Sequence, residues 1–120
     1  MVEYRMERIG LLIREKIGAL ILEGKIKDPR VTAFNSITRV AVSRDLSYAD
    51  VYVSDIREKA NIGNSTQGLQ SASGFIQSQL GAILKIRKIP HLRFHADTSI
   101  REGFDLVQKI DKLTMNNEEK

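Results

Sequence analysis

The chain has 120 residues, of which 42% are hydrophobic, and a formal net charge of +4. This length suits one domain with a single core, and the absence of cysteine excludes disulfides and thiolate metal sites. No apolar run approaches the ~20 residues needed to cross a bilayer, and the N-terminus is charged from its third residue, unlike a signal peptide. We therefore expect a cytoplasmic protein that does not enter membranes.

The first predicted element is a helix that ends at Gly24. Its apolar residues recur at steps of three and four from Met6, which is the spacing of one buried stripe. Those residues are Ile9, Leu12, Ile13, Ile17, Leu20 and Ile21. The opposite face is charged and includes Arg5 and Arg8, as in a solvated helix face. The Asp-Pro pair at 28–29 then indicates a turn, because proline disfavours helix at the residue before it.

Residues 36–54 alternate between apolar and polar side chains and are rich in Val, Ile, Thr and Tyr. This pattern predicts two antiparallel strands joined by a turn at SRDLS. Alternation assigns one face to the core and the other to water. The expected core face comprises Thr38, Val40, Val42, Ala49, Val51 and Val53, and the expected outer face comprises Arg39, Tyr48, Asp50 and Tyr52.

A second helical region follows a small, polar segment at 60–67, with Asn64 or Ser65 as its expected N-cap. Apolar residues keep helical spacing over 69–84, but glycines interrupt it, and each interior glycine costs about 0.5–1 kcal/mol relative to alanine. We therefore expect a bend near Gly74. The glycine permits either a close approach of another molecule to the backbone or tight packing against the sheet.

Pro90 closes that helix and precedes a short strand. The residues of this strand expected to face inward are Leu92, Phe94 and Ala96. A last helix begins at Thr98 or Ser99 and includes Ile100, Phe104, Val107 and Ile110. The elements together predict an α+β domain with helices on one face of a three-stranded sheet. We place this domain at residues 1–113 and a flexible tail at 114–120.

Two histidines four residues apart are candidate metal ligands. His91 and His95 could share an ion on a helix, but on a strand four residues span roughly 13 Å at ~3.3 Å each. The sequence contains no nucleophile motif and no phosphate-cradling glycine loop. Most carboxylates neighbour Lys or Arg, as solvated surface charges do. We therefore expect no metal, no cofactor, no small-molecule substrate and no enzyme activity.

The basic excess is local. Residues 59–96 hold five Lys/Arg and no carboxylate, and four of these cations are Lys85, Arg87, Lys88 and Arg93. Such a segment is either a solvated surface or a patch whose field attracts a phosphate backbone. Because its charge is not neutralised by nearby carboxylates, we consider nucleic-acid contact on an equal footing with a solvated surface.

Three stretches of the sequence carry a resemblance to a known family, namely RMERIGLLIREKIGALILEGKIKDPRV, VAVSRDLSYADVYVS and LQSASGFIQSQLGAILKIRKIPHLRFHADTSIREG. They resemble the ribosome-binding factor A family of bacterial maturation factors for the small ribosomal subunit. The VSRDL turn followed by AxVYVS is the most specific, and FHADTSIREG is nearly as telling. Their order and spacing make the resemblance strong over about residues 4–110.

The resemblance implies a type II KH-like domain in which an Ala-x-Gly kink replaces the GxxG nucleotide-clamping loop. The matching residues are Ala72, Ser73 and Gly74. It also implies a partner, the free small (30S) subunit with its 16S rRNA, and a role in late maturation that includes the 16S 5′ end and matters most in the cold. No activity other than binding is implied. We expect a monomer whose RNA-facing residues are Arg5, Arg8, Ser73, Gly74, Lys85, Arg87, Lys88 and Arg93.

Two alternatives come from other classes of protein. A protein-interaction module without direct RNA contact would use Phe104 and Val107 of the last helix, and its binding would be insensitive to salt. A small α+β enzyme would need a pocket that joins Asp45 or Asp97 to a histidine.

Overall fold

The computed structural model describes residues 2–57 and 61–99. Within these residues, three helices and three strands follow in the order helix, strand, strand, helix, helix, strand, which confirms the order predicted for this part of the chain. Their bounds are Val2–Leu22 for α1, Asn35–Val42 for β1, Tyr48–Asp55 for β2, Ile62–Ser71 for α2, Ser73–Gly81 for α3 and His91–Ala96 for β3. No helix in these two ranges has the length and apolar character of a membrane span. The predicted last helix with Ile100, Phe104, Val107 and Ile110, and the tail 114–120, lie outside the described residues.

β2 is the central strand of a sheet with the order β1-β2-β3. It pairs antiparallel with β1 and parallel with β3. A parallel pair needs a crossover connection, which α2 and α3 supply. β2 and β3 therefore begin at the same end of the sheet, where Tyr48 lies opposite His91. We call this the hairpin end, because the turn Ser43–Ser47 between β1 and β2 lies there.

The core lies between one face of the sheet and the helices. Ala49, Val51 and Val53 of β2 point into it and are fully buried. The helices contribute the fully buried side chains Ile13, Ile17, Leu69, Ile76 and Leu80. Burial of a side chain of this size contributes roughly 1.5–3 kcal/mol. The two-layer α+β architecture is therefore confirmed.

Thr38 does not join the core, contrary to the prediction. The β1–β2 pairing shifts between Ile37 and Arg39, so that Ile37 opposes Val53 and takes the inward place. The Thr38 hydroxyl instead donates to the Asp97 carboxylate. A bulge places one extra residue in a strand. The alternation of inward and outward side chains before the bulge is therefore offset by one residue from the alternation after it.

The boundaries of the second helical region also differ from those predicted. α2 begins at Ile62, and its N-cap is Asn61, whose side chain accepts from the N–H of Asn64 at 3.1 Å. Ser65, the other predicted cap, is buried within the helix. Asn61 is the N-cap because this position requires extended backbone, and its φ and ψ are −89° and 91°.

The region after α3 is a loop and not the end of a long helix. α3 ends at Gly81, well before Pro90. Leu84 is buried and Ile86 and Ile89 pack partly against the core. The burial of these three residues explains why the sequence pattern predicts a longer helix. A loop that buries an apolar side chain every two or three residues has nearly the same apolar spacing as a helix. Ala96 was expected inward and is exposed as the last residue of β3.

The predicted kink between two helices is confirmed, and the break falls at Ala72. Ala72 has φ −88° and ψ 5° and separates α2 from α3. Gly74, two residues later, lies in the first turn of α3 without a positive φ. A Cβ added there would have no neighbour within 4 Å. Neither backbone conformation nor packing therefore requires a glycine at position 74.

Gly68 differs from Gly74 in its surroundings. A Cβ at Gly68 would lie 3.0 Å from the Val31 side chain and 3.1 Å from Asp28 Oδ1, so that α2 lies directly on the turn after α1. Gly68→Ala is expected to destabilise the fold by about 1–3 kcal/mol through overpacking. Gly74→Ala is expected to stabilise it by about 0.5–1 kcal/mol, because alanine is the better helix former. Urea unfolding of the two variants checks this, and a loss of stability in Gly74→Ala would show that the kink needs glycine.

Candidate nucleic-acid interface

The predicted basic segment lies in the loop between α3 and β3. Lys85, Arg87 and Lys88 are exposed, while Ile86 and Ile89 between and beside them turn toward the core. The loop is therefore anchored by its apolar residues and presents its cations to solvent. Among the described residues, no carboxylate forms an ion pair with any of the three cations.

This loop reaches the hairpin end of the sheet. It enters β3 at His91, whose N–H donates to the carbonyl of Ser47 in the turn at 2.8 Å. The carbonyl of Pro90 accepts from Gln77 Nε2 of α3 at 2.9 Å, which ties the loop to the helix before it. Arg44 is exposed in the same turn. The loop and the turn thus place their cations at one end of the sheet.

The N-terminal half of α1 extends toward the same end. A Cβ on Gly10 would lie 3.1 Å from the carbonyl oxygen of Val40, and Arg14 Nε donates to the carbonyl of Ile37 at 3.1 Å. α1 therefore runs antiparallel to β1. Arg5 and Arg8 precede Gly10 and are exposed, and at about 1.5 Å per residue they lie beyond it toward the hairpin end.

The kink lies beside the first half of β3. Gln70 in α2 donates from Nε2 to the Leu92 carbonyl at 3.0 Å and accepts from the Phe94 N–H at 2.9 Å. Its amide thus occupies the free edge of β3 in the way that a neighbouring strand would. Ser73 and Gly74 follow Gln70 along the helices toward the hairpin end, and Gly74 is exposed. Sequence analysis missed Gln70, because an exposed polar residue in a helix gives no signal of a distant backbone partner.

Arg93 lies on a different surface from the other predicted cations. It is on β3, and its guanidinium forms a two-bond ion pair with Asp50 of β2, with Nε and Nη2 at 2.9 Å and 3.1 Å from the carboxylate oxygens. The charge of Arg93 is therefore neutralised by a carboxylate 43 residues away in sequence. The structure brings together Arg5, Arg8, Lys85, Arg87 and Lys88 at the hairpin end and separates Arg93 from them.

Asp50 also bonds His95 Nε2 at 2.8 Å. The hydrogen bond from His95 is the main cause that lowers the pKa of Asp50 below its usual 3.8, and the bonds and charge of Arg93 add to it, while partial burial opposes it. This carboxylate–histidine pair lies on the open face of the sheet and not in a pocket, since the His95 side chain is 45% exposed.

The carboxylates named in the enzyme alternative have other partners. Asp45 accepts from the Ser47 N–H at 3.1 Å within the turn. Asp97 accepts from the Ser99 N–H at 2.9 Å and from the Thr38 hydroxyl, and these bonds lower its pKa. Within 2–57 and 61–99, neither is hydrogen-bonded to a histidine. Phe104 and Val107, the residues of the protein-interaction alternative, lie outside the described residues.

The order of elements, the mixed sheet and the interhelical kink define a KH-like domain, here with a cationic hairpin end. The solved structure of ribosome-binding factor A from Thermus thermophilus is similar, with a TM-score of 0.63, 22% identity and coverage of 76% of this chain and 94% of that one. The solution structure of a putative ribosome-binding factor A from Thermotoga maritima gives a TM-score of 0.60 at 29% identity and covers 75% and 88%. The predicted KH-like fold is therefore confirmed.

Sequence comparison gives the family. The family described as Ribosome-binding factor A matches residues 5–113. The ribosome-binding factor A of Treponema denticola is 50% identical over 94% of this chain and 86% of its own length. That of Dictyoglomus thermophilum is 41% identical over 96% and 95%. The chain belongs to the ribosome-binding factor A family.

The ion pairs of Asp50 have a measurable consequence for acid stability. Because its folded pKa is lowered, Asp50 stabilises the fold fully above its usual pKa of 3.8, and this contribution is lost as the pH falls through the lowered value. His95→Gln and Arg93→Gln are each expected to raise the pKa of Asp50, because each removes a group whose hydrogen bond and charge favour the ionised carboxylate. Carboxyl-carbon NMR titration of the wild type and both variants checks this. An unchanged midpoint in His95→Gln would contradict the assignment.

Proposed function

We propose that this protein is a ribosome assembly factor that binds the free small (30S) ribosomal subunit through its 16S rRNA. The observation that carries the proposal is the group of cations at the hairpin end, which the anchored loop, the turn and α1 direct to one end of the sheet. Membership of the ribosome-binding factor A family supports it. So does a similar set of coordinates, a homology model of the Thermus thermophilus factor fitted into the cryo-EM map of a 30S–RbfA complex, with a TM-score of 0.59, 22% identity and coverage of 74% of this chain and 91% of that one.

The hairpin-end cations contact phosphates in this proposal. Lys85, Arg87 and Lys88 have no carboxylate partner in the described part of the chain, so binding RNA does not require an existing ion pair to break. Phosphate contacts release condensed counterions, which makes the affinity fall with salt. Gly74 permits a close approach of the RNA backbone to the kink, because its exposed Cα has no side chain. We assign residues 1–113 to this domain.

The protein acts by binding alone, as a monomer in the cytoplasm, in support of late subunit maturation. Misfolded rRNA helices persist longer in the cold, because escape from them is an activated process. A protein with higher affinity for the correct immature arrangement shifts the population by that difference in affinity, and no chemical step is needed.

We propose that processing of the 16S 5′ end is the step that this shift favours. Cells without the protein, grown cold, should then accumulate 16S rRNA with an unprocessed 5′ end, measured by primer extension.

A pair of charge variants tests the hairpin end. Arg87→Ala/Lys88→Ala is expected to weaken binding to purified small subunits. It should also make the negative slope of log affinity against log salt shallower by roughly two, one for each lost phosphate contact. The matched control is Lys25→Ala/Lys27→Ala, which removes the same charge from exposed residues after the C-terminus of α1, at the opposite end of the sheet. Sedimentation with small subunits at several salt concentrations measures both.

The thermal stability of both variants should stay within about 0.5 kcal/mol of the wild type, as for most surface substitutions. Equal losses of affinity in the two variants would indicate attraction by net charge only. Wild-type binding in Arg87→Ala/Lys88→Ala would remove the hairpin end from the mechanism, and binding insensitive to salt would favour a protein-interaction module.

A further inference from the structure

The face of the sheet opposite the helices has an ordered arrangement that the proposed function does not use. We call it the outer face, and it is formed by the side chains of Tyr48, Asp50 and Tyr52 on β2 and of His91, Arg93 and His95 on β3. The parallel register sets these residues directly opposite one another in three pairs. An aromatic pair lies at each end, and the Asp50–Arg93 ion pair lies between them.

The first aromatic pair lies near the hairpin end. The ring centroids of Tyr48 and His91 are 5.9 Å apart. The guanidinium carbon of Arg93 lies 4.4 Å from the centroid of the Tyr48 ring, in cation–π contact. The tyrosine is 43% exposed and the arginine side chain 51% exposed, so both are accessible from solvent.

The second pair repeats this arrangement farther along the strands. The centroids of Tyr52 and His95 are 5.2 Å apart, with an interplanar angle of 30°. The guanidinium carbon of Arg39, from β1, lies 4.2 Å from the centroid of the Tyr52 ring. The outer face therefore holds two stacks, each made of a tyrosine, a histidine and an arginine.

Asp50 holds the two stacks in place. Its carboxylate bonds Arg93 of the first stack at 2.9 Å and 3.1 Å, and His95 of the second at 2.8 Å. These bonds neutralise the carboxylate in the middle of the face and fix the orientation of both partners. Side chains that are already ordered on rigid strands lose less conformational entropy on binding a ligand.

We propose that the outer face is a second RNA-binding surface, which binds single-stranded RNA by stacking bases on its two tyrosine–histidine–arginine stacks. Bases stack on aromatic rings and on guanidinium planes, and sheet faces with exposed aromatic residues bind single strands in this way. Four residues along a strand separate the stacks by roughly 13 Å. Bases that stack on these side chains must be splayed away from their neighbours, as in a flexible single strand and not in a continuous helix, where bases stack on one another about 3.4 Å apart.

The chemistry of the face favours RNA over a protein partner. The centre of a protein–protein interface is depleted of charged residues, whereas here the ion pair of Asp50 and Arg93 occupies the centre. Arg39 offers charge to phosphates, and the guanidinium groups of Arg39 and Arg93 both offer planes on which bases can stack. The inference rests on the proposed function only in taking RNA as the partner, since the outer face and the hairpin end share none of these side chains.

The composition of the chain supplies a direct probe of stacking. It has no tryptophan and three tyrosines, Tyr4, Tyr48 and Tyr52, so that in a Tyr4→Phe background the intrinsic fluorescence comes from the outer face. An unstructured RNA of about ten nucleotides is expected to quench it on binding. An abasic oligonucleotide of the same length and charge is expected to bind more weakly and to leave the fluorescence unchanged, because phosphates alone cannot stack.

Variants locate the binding on the outer face. Tyr48→Leu/Tyr52→Leu is expected to weaken RNA binding about tenfold or more without changing its salt slope, because bases lose their stacking partners while phosphate contacts remain. Tyr48→Phe/Tyr52→Phe keeps the rings and should retain the affinity, measured by anisotropy of labelled RNA. The matched control is Phe34→Leu, an exposed ring outside the strands with the Arg57 guanidinium carbon 4.7 Å from its centroid. It should have no effect.

Three outcomes would overturn the proposal. One is equal binding of the abasic oligonucleotide, and another is full RNA affinity in a folded Tyr48→Leu/Tyr52→Leu protein, with folding checked by circular dichroism. The third combines two results: the wild type binds no RNA oligonucleotide, yet the Tyr48→Leu/Tyr52→Leu variant loses binding to small subunits. That combination would show that the outer face binds a ribosomal protein. Failure of Arg87→Ala/Lys88→Ala to affect subunit binding would instead contradict the proposed function and leave the stacking result unchanged.

Discussion

The alternation of side chains along β2 is the constraint on which the rest of the structure depends. Val51 and Val53 face the helices with no exposed surface, and Tyr48, Asp50 and Tyr52 face the other way. Because β2 is the central strand, a slip of one residue would move the tyrosines into the core and the valines to the surface. One register thus determines the packing of the helices, the outer face and the end of the sheet where β3 begins.

Much of this arrangement can be predicted from periodicity, because burial of one face imposes a period of two on strands and of 3.6 on helices. Local departures from regular structure, such as bulges and caps, cannot be predicted from the periodicity of the sequence. The bulge at Thr38 leaves composition unchanged, and Asn61 and Asn64 are equally good N-caps until the backbone selects one. The pairing of Arg93 with Asp50 joins residues far apart in sequence and depends on a parallel register that the crossover sets. Counting charges along the chain therefore found the loop cations and overestimated the free charge of β3.

The two surfaces would give the protein different contributions to RNA binding. Cations at the hairpin end supply long-range attraction that weakens with salt and does not depend on sequence. Stacks on the outer face would supply short-range contacts that need exposed bases, as in an rRNA segment that has not yet paired. A factor that uses both would lose affinity as such a segment folds into the mature subunit, because bases that pair are no longer available to stack. Release would then follow from maturation itself.

Photo-crosslinking tests the central claim, that the hairpin end faces 16S rRNA, most directly. A photoreactive amino acid is placed at position 87 in the loop before β3 or, in a separate protein, at position 27 at the opposite end, and each protein is bound to small subunits and irradiated. Primer extension then maps the crosslinked nucleotides. The account predicts discrete 16S rRNA crosslinks from position 87 and few or none from position 27. Crosslinks from position 27 alone would contradict it.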